Sequence, residues 1–300
     1  MTWLAPFSIC CRMGYNCRGQ VRLAVRALTG LVVWGCGGGV PLLHPAHVLP
    51  PDTVSAGAGV SGNFTSESAE RRITRGRAAA AEPLLEPANA RDYAEGILTQ
   101  ALVAPEASPW VAARVGLDGG NEAGLTYTGR SVRLDGRHVF RLTDQWGLSV
   151  GVGGTALLGS IDSGSDPFGG DPSRTPAEGQ LNATGWGADL PLLVGYEGFN
   201  GFFELWLGAR AGIERVSGEL RLGGEGIRTA DAEGTRWWVG NVAGFSLGLP
   251  PLWFRFELAT TLHQLSGSLR ANEPDSGLTF ADLDAAGWSF APSGAIVGKF

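Results

Sequence analysis

The chain reads as all-β: ten antiparallel strands closing into a transmembrane barrel, with eight to twelve strands as the range. Three observations predict this: the composition, the period of the hydrophobic pattern and the lengths of the connections. There are 47 Gly and 17 Pro in 300 residues, and only 17% of the chain is charged. Gly costs about 1 kcal/mol and Pro about 3 kcal/mol relative to Ala inside a helix, so a mostly helical fold is disfavoured. The glycines show no period of three, which excludes collagen.

Apolar and polar residues alternate with period two, the mark of a strand with one face buried, near 54–64, 109–117, 121–129, 132–142, 146–157, 184–196, 201–214, 236–248, 252–265 and 286–300. The connections Asp118-Gly119-Gly120, Thr143-Asp144-Gln145, Glu197 to Asn200 and Leu249 to Pro251 are tight. Those at 65–108, 158–183, 215–235 and 266–285 are long, and only the short turn at Arg130-Ser131 breaks the alternation. Short turns at one end, long loops at the other and an even strand number are the pattern of a membrane barrel. Both termini then fall on the short-turn side.

The strand faces differ in chemistry. In the seventh strand Phe203, Leu205, Leu207, Ala209, Ala211 and Ile213 oppose Glu204, Arg210 and Glu214. In the ninth, Leu252, Phe254, Phe256, Leu258 and Leu262 oppose Arg255, Glu257 and His263. Aromatic placement predicts which face points outward. Tyr127, Trp186, Trp237 and Trp288 lie on the apolar face near the long-loop ends, and Phe140, Trp146, Tyr196, Phe203, Phe254 and Phe300 near the short-turn ends. Two aromatic belts flanking an aliphatic band are what a bilayer selects. Asn241 is out of place on that face, and Pro191 and Pro292 each remove a ladder donor, which predicts local bulges there.

The charged face is then the lumen. Arg114, Arg133, Arg137, Arg141, Arg210, Arg255 and Lys299 meet Glu122, Asp135, Asp189, Glu204, Glu214 and Glu257 there. So balanced a set inside a narrow barrel predicts a salt-bridged interior with a narrow or closed passage. A selectivity lining for a small solute is the alternative.

All four cysteines, Cys10, Cys11, Cys17 and Cys36, precede the strands, so the folded part has no thiolate for metal or nucleophilic work. Residues 1–35 carry Arg12, Arg18, Arg22 and Arg26, then an apolar run from Ala27 to Trp34 that is too short to span a bilayer, and read as an export leader. The end of the leader, Val33-Trp34-Gly35-Cys36-Gly37, resembles the lipobox of bacterial lipoproteins, which implies lipidation of Cys36. Trp34 departs from the small residue usual at its place. Residues 36–53, rich in Gly and Pro, read as a tether, and 54–300 as the barrel. Without the four leader arginines the formal charge falls from −6 to −10, a poor match for nucleic acid.

The last strand, Trp288 to Phe300, alternates apolar residues and ends in Gly-Lys-Phe. It is similar to the C-terminal signal of bacterial outer-membrane β-barrels. The stretch Glu122-Ala-Gly-Leu-Thr-Tyr-Thr-Gly followed by Val132-Arg-Leu-Asp-Gly-Arg resembles a recurrent hairpin of such barrels. The resemblance implies residence in the bacterial outer membrane, recognition of Phe300 by barrel-assembly machinery, and contact with outer-membrane lipid and lipopolysaccharide. It implies no activity.

The insertion 65–108 contains the basic cluster Arg71-Arg72-Ile73-Thr74-Arg75-Gly76-Arg77 and a short helix expected from Ala90 to Val103. The cluster is a solvated surface or a contact for lipopolysaccharide phosphates. Asp162, Asp166 and Asp171 lack the spacing of a calcium loop, and His44 and His47 are too few for a metal site, so no metal or cofactor is expected. His263 with Ser266 is the local candidate for a hydrolytic pair, but an offset of three puts them on opposite strand faces. The expectation is a non-catalytic outer-membrane barrel with a structural or surface-interaction role, possible passage of a small solute being secondary. A barrel hydrolase acting on lipid and a soluble exported barrel binding an apolar ligand are the rivals.

Overall fold

A computed structural model describes residues 41–80, 87–104, 106–158, 160–162, 180–199, 201–222, 228–271 and 280–300. Ten strands, β1 (Val54–Thr65), β2 (Glu106–Leu117), β3 (Asn121–Tyr127), β4 (Ser131–Arg141), β5 (Trp146–Leu157), β6 (Gln180–Gly198), β7 (Phe203–Leu222), β8 (Arg228–Leu249), β9 (Leu252–Ala271) and β10 (Phe280–Lys299), form one antiparallel cylinder. Each strand pairs with its neighbours in sequence, and β1 pairs with β10, Ser55 opposite Lys299 and Ser61 opposite Ser293, which closes the wall. The three residues Ser160–Asp162 continue the line of β5 beside β6. The bulges expected at the prolines do not form. Pro191 faces Arg210 and Pro292 faces Leu258 in unbroken ladders; on their other sides the ladders to β5 and β1 each skip two pairs and resume in the same register, so the flanking pairs hold the strand across the missing donor. The register shift lies at Gly267/Leu269 instead.

The apolar face points out. Leu134, Leu207 and Phe254 are 65%, 63% and 57% exposed, while Arg133, Glu122 and Glu257 on the opposite face are buried. This excludes the soluble barrel with a greasy cavity, since the Leu and Phe face does not line the interior.

The wall has two heights. β1 to β5 hold 7 to 12 residues each, whereas β6 to β10 hold 19 to 22. These last five run well beyond the stretches expected from the alternation, because the pattern inverts in their upper halves. There Leu181, Ala183, Val216, Leu220, Ala230, Ala232, Leu265, Leu269 and Leu283 face inward and are buried. Ser217, Arg221, Asp231, Glu233, Ser266, Arg270 and Asp284 face outward and are exposed.

A helical hairpin covers this inner apolar surface. The segment 65–108, expected as a loop holding one short helix, contains α1 (Glu67–Ala80) and α2 (Pro87–Val103). Tyr93, Ile97, Leu98, Ala101 and Leu102 of α2 are buried in one cluster with the upper strand residues. The helices cross where Gly76 and Gly96 meet backbone to backbone, a contact that a Cβ on either would block. Above Thr65, no strand among the described residues lies on the β1 side of β10. α1 satisfies that edge: Ser68 Oγ accepts the Ala286 N–H at 3.0 Å and donates to the Ala286 carbonyl, and Arg72 donates to the Asp284 carbonyl at 2.8 Å. A free edge of this kind is otherwise a template for pairing with another chain.

Leu98 is fully buried in that cluster, so Leu98→Ala is expected to cost about 2–5 kcal/mol. Limited proteolysis across a temperature series should then cut within α1 and α2 at lower temperature than in the parent, while mobility on unboiled gels reports an intact cylinder.

Candidate functional site

The lumen is built by the inward residues of the short-turn half. β2, β3, β4, β6 and β7 contribute a single chain of ions with alternating sign: Arg137, Glu122, Arg114, Asp135, Arg133, Asp189, Arg210. The Arg133–Asp135, Arg133–Asp189 and Arg210–Asp189 contacts are 2.7, 2.9 and 2.9 Å. Strand register explains the set. Glu122 sits directly opposite Arg137, and Arg133 and Asp135 alternate on the same strand toward their partners. Four cations and three anions leave one positive charge over, with Arg137 and Arg210 at the two ends. Lys299 pairs with Glu204 at 3.1 Å and Arg236 with Glu214 at 2.8 Å.

The surplus is met by the chain itself. Residues 41–49, expected within the tether, lie inside the cylinder and are mostly buried. Arg137 donates to the Pro45 carbonyl, to the His47 carbonyl at 3.1 Å and to His44 Nδ1 at 2.8 Å. The Leu42 and Leu43 N–H groups donate to the two oxygens of Glu257 at 2.9 and 2.8 Å, and Trp206 Nε1 donates to the same carboxylate at 3.2 Å. Arg255 donates to the Leu43 carbonyl at 3.0 Å, and Leu49 N–H donates to Glu122 at 2.8 Å. Leu43 has φ 44°, an unfavourable region for a non-glycine residue that aims two successive N–H groups at one carboxylate. The segment passes so close to Gly116 and Gly195 that a side chain there would strike the Pro50 carbonyl or the Ala46 methyl. The tether expectation is corrected on this ground: buried Glu257, Arg137 and Arg255 need backbone partners, and these nine residues provide them.

Arg114, Arg133, Asp135, Arg137, Asp189, Glu204, Arg210, Arg255 and Glu257 thus lie inside the cylinder. Arg141 does not; as the last residue of β4 it is exposed at the short-turn rim. Phe300 is exposed at the same rim and its backbone pairs with Val54 through bonds of 2.8 and 3.0 Å. Cys36, Asp166 and Asp171 fall outside the described residues. His263 is buried on the inner face and Ser266 exposed on the outer, so they do not meet. The inward tryptophans Trp110, Trp206, Trp238 and Trp253 share the parity of Arg114, Arg210, Arg236 and Arg255, which is the sequence signal that places them on the charged face.

No family model and no curated protein sequence matches the chain. Among solved structures it is similar to the outer membrane protease OmpT from Escherichia coli, at 12% identity and a TM-score of 0.40, over 85% of this chain and 100% of that one. It is similar to a major outer membrane protein from Thermus thermophilus, at 12% identity and a TM-score of 0.34, over 82% and 99%. Neisserial surface protein A matches at 13% identity and a TM-score of 0.27, over 83% and 96%. At these values the likeness carries nothing about activity.

His44 ties the segment to pH. Burial, then the guanidinium of Arg137 with Arg114, Arg133 and Arg255 beyond it, holds its imidazole well below the usual histidine range. Since guanidinium only donates, Nδ1 must accept. Burial likewise lowers His47. A released segment takes up protons that the seated one refuses, so seating is strongest above pH ~6.5 and weakens as pH falls, by at most about 1.4 kcal/mol per unit for each histidine. Proteolysis of residues 41–53 in folded protein should therefore accelerate between pH ~7.5 and ~5. The double variant His44→Ala, His47→Ala should flatten that dependence.

Proposed function

We propose that this is a non-catalytic bacterial outer-membrane barrel whose lumen is sealed and whose role is structural or surface-interacting. Its outward aliphatic band between aromatic belts suits a hydrocarbon environment, and β1 to β5 have lengths near the ~9–11 residues a membrane strand needs. The long-loop end faces outward from the cell on this reading. The taller half-wall with its helical hairpin is then the surface that meets other molecules. Arg71 and Arg75, exposed on α1, suit lipopolysaccharide phosphates. Phe300 serves as the assembly signal and Cys36 as the lipidation site on the same reading.

The observation that carries the sealed state is the filling of the lumen by the alternating ion chain together with residues 41–49. Open aqueous channels have ~16 strands. Planar-bilayer recording of reconstituted protein is therefore expected to show no steady conductance at neutral pH. Glu257→Ala leaves two backbone N–H groups and Trp206 Nε1 without their acceptor, at about 1–3 kcal/mol for each buried group. That variant is expected to show intermittent current steps. A steady ohmic conductance in the parent protein would contradict the sealed reading.

A further inference from the structure

Below the seated segment, at the short-turn end, lies a cavity of about 380 Å³. Its walls carry five cationic side chains, Arg114, Arg137, Arg141, Arg255 and Lys299, against three carboxylates, Glu122, Glu197 and Glu204. The pairing places that excess on Arg255 and Arg141. Glu122 is engaged by Arg114, Arg137 and the Leu49 N–H; Glu204 is engaged by Lys299 through one oxygen, and its other oxygen is buried without a partner. Arg255 is 6% exposed; it donates to one carbonyl from one terminal nitrogen, and its Nε is buried without a partner. Among the described residues neither Arg255 nor Arg141 has a carboxylate at ion-pair distance. Trp253 supplies a flat wall, with Lys299 Nζ 4.3 Å from its ring centroid.

A buried guanidinium with an unused N–H is costly unless an acceptor reaches it. Arg137 already donates to the Pro45 and His47 carbonyls and Arg255 to the Leu43 carbonyl, so oxygen acceptors are what these guanidinium groups meet here. From this geometry we infer that the cavity is a binding site for a small organic or inorganic oxyanion, a carboxylate or phosphate, held by Arg255 and Arg141 beside Trp253. The site opens toward the short-turn side. The ion chain and residues 41–49 close it from the other end, so the ligand enters and leaves by the same mouth. Binding, rather than passage, is the activity, and it goes beyond the structural role above.

Isothermal titration calorimetry on the folded full-length chain in detergent micelles, with succinate and inorganic phosphate as separate titrants, tests this. Saturable binding of at least one of the two is expected, weakened about tenfold or more by Arg255→Gln and several-fold by Arg141→Gln, and reduced by added salt. Among the described residues Arg141 forms no side-chain hydrogen bond or ion pair with the ion chain or residues 41–49, although its charge acts on His47, so mobility on unboiled gels checks that both variants keep the fold. Arg270→Gln, at the far end of β9, should leave affinity unchanged. Absence of saturable binding for both titrants, or undiminished affinity in both Arg255→Gln and Arg141→Gln, would overturn the inference.

Discussion

A cylinder that turns its apolar side outward must solve the problem of charge in its middle, and this constraint organises the molecule. An ion removed from water costs several kcal/mol even after relaxation, and it is tolerated only with good partners. Seven side chains from five strands meet the requirement by alternating in sign from Arg137 to Arg210. The chain has one cation too many, and a backbone segment compensates by turning its carbonyls to Arg137 and Arg255 and its N–H groups to Glu257. Removing any single member leaves its partner charged and buried, so the lumen behaves as one unit rather than as a set of independent pairs.

The same logic produces the unequal wall. Outside the apolar band there is water on the outer surface, so the outward residues of β6 to β10 become polar and the inward ones aliphatic. An inward aliphatic face needs a cover, and α2 is that cover. α1 in turn covers the unpaired edge of β10 through Ser68 and Arg72. The upper half is thus built by the rules of a water-soluble β/α layer, on strands that begin under the opposite rule.

Much of this was legible from residue alternation. The ten strands, the outward Leu and Phe face and the inward position of residues such as Arg133 and Glu257 follow from a period of two, which a strand cannot evade. The upper halves of β6 to β10 were not read as strand, since their alternation continues with the sense of inside and outside exchanged: Leu265 and Leu269 are inward, in line with His263. The seated segment was not legible because Pro41 to Pro51 has no period. Its place depends on backbone groups meeting Glu257 and Arg137, side chains far away in sequence. Arg141 shares the parity of Arg137, yet strand length decides where the interior stops.

The central claim is that the aliphatic band meets hydrocarbon while the ionised groups are shut inside. Spin labels at Leu205→Cys, Phe256→Cys and Ile296→Cys in reconstituted protein, compared with Ser293→Cys on the inner face, test it most directly. The account predicts that the three outward labels collide readily with dissolved oxygen and hardly at all with a water-soluble nickel chelate, and that the inner label is immobilised and reached poorly by both. Ready collision of the outward labels with the chelate would contradict it.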